Sequence, residues 1–94
     1  MPIGVLTLTL NLDGCRSLKD KRRRLKPLLA RLHREFNVSA AEMAHHDVWQ
    51  TAEIGCVILS TDYAHAEQKL QQIVAWMEQY WRDVYIVQDE IELI

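Results

Sequence analysis

Glycine, proline, cysteine and phenylalanine are scarce in this chain of 94 residues, which holds three Gly, two Pro, two Cys and one Phe. Two cysteines, Cys15 and Cys56, are too few for the disulfide framework of a small secreted domain. Both are expected to be reduced thiols in a cytoplasmic protein. No apolar run reaches the roughly 18 residues that a membrane helix needs, so no membrane partner is expected. The opening stretch MPIGVLTLTLNLDG has no basic segment and no small-residue cleavage site, and is not expected to be a signal peptide. Cys-x-x-Cys and His-Glu-x-x-His motifs are absent, as are low-complexity segments and linkers. Residues 1–94 are therefore expected to form a single domain, with no cofactor, no metal site and no catalytic residues assigned.

What is present in excess is positive charge in one place. The net charge is -2. Between Asp13 and Arg34, however, nine Lys and Arg stand against two Asp, whereas from Glu35 onward eleven acidic residues stand against two basic ones. A chain with this polarity suits an anionic partner on one side, or a second copy of itself.

Ile3–Leu12 alternates with a period of two, placing Leu6, Leu8, Leu10 and Leu12 on one face of a strand. Gly14 supplies a turn, and Ser17 is suited to cap a helix through the backbone N–H of Asp20. At about 100° per residue, Leu18, Leu25, Leu28, Leu29, Leu32 and Phe36 form one apolar stripe. Pro27 and the arginines Arg23, Arg24, Arg31 and Arg34 fall on the opposite, solvent side. Lys21 and Arg22 flank the stripe, where their stems can lie along it. A second strand is predicted over residues 37–43 and a third over 51–60. A second amphipathic helix follows over 63–81, and a last strand over 84–94.

The order β-α-β-β-α-β predicts a ferredoxin-like α+β sandwich, a four-stranded antiparallel sheet with two helices on one face. The other face then carries Val5, Thr7, Thr9, Asn11, Ser39, Ala41, Met43, Glu53, Val57 and Leu59. Aromatic residues are missing from it, so the base-stacking sheet of RNA-recognition domains with this fold is not expected. Its apolar members Val5, Met43, Val57 and Leu59, together with Thr7, suit a homo-oligomeric or small-ligand interface.

The basic helix offers a different function. Lys19, Arg22, Arg23, Lys26, Arg31 and Arg34 could contact the phosphates of RNA, and no aromatic residue interrupts the run to stack an unpaired base. His45–His46–Asp47 carries too little metal-ligand spacing to read as more than a polar loop. Cys15, between Gly14 and Arg16, lies where a thiol pKa can fall, but no base accompanies it. Trp49 and Glu53 stand at the start of the third strand, and Trp49 is expected to pack over the hairpin with Glu53 on the open face.

Three stretches carry a resemblance: SLKDKR at Ser17–Arg22, FNVS at Phe36–Ser39 and WQTAE at Trp49–Glu53. Through them, and along nearly the whole chain, the sequence resembles the YlxP-like bacterial proteins, a family of unknown function with a ferredoxin-like fold. His45–His46–Asp47 stands where that family more often has His-Gln-Asp. The family carries no established reaction and so implies no catalytic residues. Its genes often neighbour those for ribosome-binding factor A, a translation initiation factor and a transcription antitermination factor, which implies work around RNA or a ribosomal particle. The expectation is a non-enzymatic RNA- or ribosome-associated factor, with the open-face homo-oligomer as the alternative.

Overall fold

The computed structural model describes residues 1–94. Its elements are β1 (Ile3–Asn11), α1 (Leu18–Phe36), β2 (Ser39–Ala44), β3 (Thr51–Leu59), α2 (Tyr63–Tyr80) and β4 (Tyr85–Leu93). The strands form one sheet in the order β2-β3-β1-β4, and every neighbouring pair is antiparallel. This is the ferredoxin-like α+β arrangement anticipated from the element order.

The alternation in β1 buries Leu6, Leu8 and Leu10 completely while Val5, Thr7 and Thr9 stay partly exposed. Register pairs Leu6 with Cys56 and Leu8 with Ile54, so both inner strands offer their apolar side to the same layer. Leu25, Leu28, Leu32 and Phe36 of α1 close this core with Ala66, Leu70, Ile73 and Met77 of α2.

Local chemistry sets the helix ends. Ser17 Oγ accepts from Asp20 N at 3.0 Å, filling one of the donor vacancies of the first turn. Asn37 ends α1 in the left-handed region at φ 53°, a conformation Asn tolerates better than most residues. Pro27 is exposed, and α1 continues through it from Leu18 to Phe36.

Two bulges turn side chains at the sheet edges. In β2 the register shifts between Glu42 and Ala44, leaving Met43 as the extra residue. Glu42 pairs with Ile54 and so faces the helix layer, while Met43 folds over Gly55. A Cβ on Gly55 would come within 2.9 Å of Met43 Cγ. In β4 the shift falls opposite Thr9 and Leu10.

Candidate functional site

The cations of α1 divide into two groups once the side chains are placed. Lys19, Arg22, Lys26 and Arg34 are exposed and meet no carboxylate. On the helix they fall within an arc of about 120°, a continuous ridge beside the buried stripe. Arg16, just ahead of the helix, is also exposed and unpaired. His33 lies on the same ridge, its Nδ1–H donating to Val38 O at 2.7 Å.

The second group is engaged. Arg23 forms an ion pair with Asp20. That hydrogen bond holds the Asp20 carboxyl below the ordinary carboxylate range and raises the Arg23 guanidinium further. Arg31 pairs with Glu35 at 3.4 Å and lies over two indoles, 5.5 Å from the Trp76 ring and 5.9 Å from the Trp81 ring. Those rings stack on each other at 5.8 Å, and Trp76 meets Phe36 edge-on. Arg31 is thus part of the seam between the helices. Of the six cations expected on phosphates, Lys19, Arg22, Lys26 and Arg34 stand free, while Arg23 and Arg31 have partners.

Two further cations behave unlike their sequence reading. Arg24, expected on the solvent side, has a side chain only 12% exposed. Its guanidinium donates to Asp83 Oδ2 at 3.0 Å, Asp83 O at 2.6 Å and Asp13 O at 2.8 Å. It fastens α1 to the loops on either side. Lys21, expected to flank the apolar stripe, is 2% exposed. Its ammonium donates to His45 O at 2.6 Å and Val48 O at 2.8 Å. The Glu42 carboxylate stands 2.7 Å away as an ion pair without hydrogen-bond alignment. A buried ammonium is tolerated only when oxygens replace its lost water, and here three do.

The loop between β2 and β3 is consequently braced from below. Val48 N donates to His45 O at 3.0 Å, closing a turn in which His45 takes φ 62°. Gln50 Nε2 donates to Cys15 O at 2.8 Å, and Leu12 N donates to Gln50 O at 2.8 Å. Lys21 of SLKDKR thus holds the residues just ahead of WQTAE, 27 positions along the chain at Val48, and Gln50 of WQTAE holds the segment just ahead of SLKDKR at Cys15. Trp49 is 45% exposed on this loop. His46 Nε2–H donates to Glu42 O at 3.2 Å, and no three His, Cys, Asp or Glu side chains gather at a point that could hold a metal ion.

Both thiols are shielded. Cys15 is 1% exposed and donates to Ser17 O at 3.5 Å, so the reactive position its sequence neighbours suggested is closed to solvent. Cys56 lies in the core, where desolvation pushes its thiol up to about 12.

The open face of the sheet is the other candidate. Met43, Val57 and Leu59 are 60%, 41% and 65% exposed, and Val5 and Thr7 are half-buried beside them. Val5, Thr7, Met43 and Val57, with Ala41, Gly55 and Glu53, line a depression of about 530 Å³, and Leu59 lies outside it. Gly55, lacking a side chain, leaves the room that Met43 occupies on this face. No helix is long and apolar enough to cross a membrane.

A family described as "Protein of unknown function (DUF503)" matches residues 3–91. The chain is also 36% identical over 64 residues to the uncharacterized protein YlxP of Bacillus subtilis (strain 168), covering 68% of this chain and 70% of that protein. The resemblance read from SLKDKR, FNVS and WQTAE is to this same group.

Proposed function

The chain belongs to the DUF503 family of proteins of unknown function, and from that premise we propose a non-enzymatic factor that binds RNA, free or in a ribosomal particle, through the ridge of Lys19, Arg22, Lys26 and Arg34. The observation that carries this reading is charge separation across the fold. Helix α1 packs on the β2 side of the sheet. The densest acidic stretch, Asp89, Glu90 and Glu92, lies on β4 at the opposite edge. The ridge therefore keeps its field, because its counter-charges are spent elsewhere or held at a distance. Exposed, unpaired cations in a row along a helix are suited to successive phosphates of a nucleic-acid backbone.

Counterion release gives this reading a measurable scale. About four phosphate contacts to a single strand predict a slope near -3 for log affinity against log salt, a loss of about 50-fold between 50 and 200 mM salt. The test is retention of the purified protein on ribosomal subunits and on total RNA, compared with an Arg22→Glu/Lys26→Glu variant. Retention that is lost in the variant and in high salt supports the reading. Retention insensitive to both refutes it.

A second reading rests on the depression over Gly55 and the exposed Met43, Val57 and Leu59. There the open face would be covered by a second copy of the chain, making a homo-oligomer. Light scattering distinguishes it. An assembly held by that face survives added salt and dissociates on Leu59→Asp, whereas RNA binding by the ridge is untouched by that substitution.

A further inference from the structure

The run of cations contains no aromatic residue, yet the fold brings one to its N-terminal end from another element. Trp49 sits between two tethered neighbours. Val48 O is held by Lys21 Nζ at 2.8 Å, and the side chain of Gln50 is held to Cys15 O at 2.8 Å. The backbone on both sides of Trp49 is thereby fixed against the segment Leu12–Lys21, which contains Arg16 and Lys19 and leads directly into Arg22. The loop is rigidly placed, but its indole is 45% exposed. The other two tryptophans show the contrast, since Trp76 and Trp81 stack on each other and beneath Arg31.

We propose that Trp49 is a stacking platform for an unpaired base of RNA, with the flanking phosphates taken by Arg16, Lys19 and Arg22. This rests on the RNA-binding reading above and specifies its ligand: single-stranded RNA, or a bulged or looped nucleotide, at the N-terminal end of the ridge. The physical case has three parts. An indole held half in water on a loop with little freedom loses little entropy when a ring covers it. Stacking on an aromatic side chain tolerates any base, since every base has a π-face. Its neighbours Val48 and Gln50 are bonded to Lys21 and Cys15, each next in sequence to an exposed, unpaired cation, Arg22 and Arg16, and a positively charged track beside an aromatic platform is the combination that binds single strands. The proposal also gives WQTAE and SLKDKR a common purpose. Lys21 and Gln50 act as positioning residues that present Trp49, and they touch no RNA themselves.

The experiment compares two probes, a labelled single-stranded RNA of roughly a dozen nucleotides and the same strand annealed to its complement, by fluorescence anisotropy at low salt. Trp49→Ala is expected to weaken the single strand by roughly 5- to 150-fold and to leave the duplex nearly unchanged. Trp49→Phe, which keeps an aromatic ring, is expected to restore most of the affinity and guards against a folding defect in the alanine variant. Arg22→Glu is expected to weaken both probes. If Trp49→Ala binds the single strand as wild type does, or weakens both probes alike, the stacking role is overturned while the RNA reading survives through Arg22. If the wild-type protein binds neither probe, the stacking role falls together with the reading it rests on.

Discussion

Lys21 Nζ lies 2.8 Å from Val48 O, although Lys21 belongs to the most basic segment of the chain and its neighbours Lys19 and Arg22 face water. One ammonium has been taken out of the cationic surface and used to hold a loop. Substituting Lys21 by Met keeps the volume but leaves His45 O, Val48 O and Glu42 without their cation. Removing one partner of a buried pair costs about 3 kcal/mol or more, which for a chain of this size is a fall in Tm of roughly 12–24 °C. The check is a thermal melt of Lys21→Met beside Lys21→Met/Glu42→Leu. The double variant should recover part of the loss, because the carboxylate left behind is then gone as well.

The fold was readable because its two periodicities are clean. Leu6, Leu8, Leu10 and Leu12 alternate without exception, and the helix stripes keep their spacing, so element boundaries fell within two residues of those observed. The destination of individual cations was not readable. A Lys at the margin of an apolar stripe ordinarily extends to water. Lys21 turns inward only because the topology carries the β2–β3 loop beneath the first turns of α1. Arg24 bonds Asp83, 59 residues further along, and Arg31 finds its aromatic neighbours on a different helix. Helical spacing assigns a side to each cation but cannot name a partner from another element. Trp49 was legible as unusual, yet its nearness to the basic helix depended on the bonds of Lys21 and Gln50. Leu18 and Leu29, placed in the stripe by the same spacing, are half-buried at its margin, and Tyr63, the first residue of α2, is 47% exposed.

Arg31 separates a structural from a binding role. Its guanidinium covers the stacked Trp76 and Trp81, and it pairs with Glu35 on its own helix. Arg31→Ala is expected to lower stability by about 1 kcal/mol through the lost cation–π contact. It should weaken RNA retention far less than Arg22→Glu does. Urea titration and the RNA assay run on both variants decide it. A strong binding defect in Arg31→Ala with stability unchanged would place its guanidinium on the ligand.

Cys56 gives the protein a weakness at high pH. Burial pushes its thiol up to about 12 from an ordinary 9.0. Between these values the unfolded chain releases the proton and the native core retains it. The unfolded state then binds fewer protons, so stability falls as pH rises through this window. At a pH midway between the two values the loss is about 2 kcal/mol. Urea midpoints measured on both sides of pH 9 should show a steeper alkaline decline in wild type than in Cys56→Ala. In the native protein near neutral pH, neither Cys15 nor Cys56 should react with a thiol reagent, and both should react after denaturation.

Gly4 tests how closely α2 approaches the sheet. It lies on the buried side of β1, opposite Ile58. A Cβ at this position would stand 2.9 Å from Leu70 Cδ1, 3.2 Å from Ile58 Cγ2 and 3.3 Å from Ala66 Cβ. The Leu70 methyl can swing aside, but the Ala66 Cβ is fixed to the helix backbone and can move only with it. Gly4→Ala should therefore be tolerated at small cost, partly offset by the reduced freedom of the unfolded chain. Gly4→Val adds two methyl groups to the same gap and should cost about 1–3 kcal/mol by overpacking. Ala66→Gly removes the atom that cannot yield, at the usual expense of about 1 kcal/mol for glycine in a helix. If the contact between strand and helix is the cause, the two losses are less than additive in Gly4→Val/Ala66→Gly, as expected for residues that touch. Fully additive losses in urea titrations of the four proteins would put the cost of a β-branched residue in β1 somewhere other than against α2.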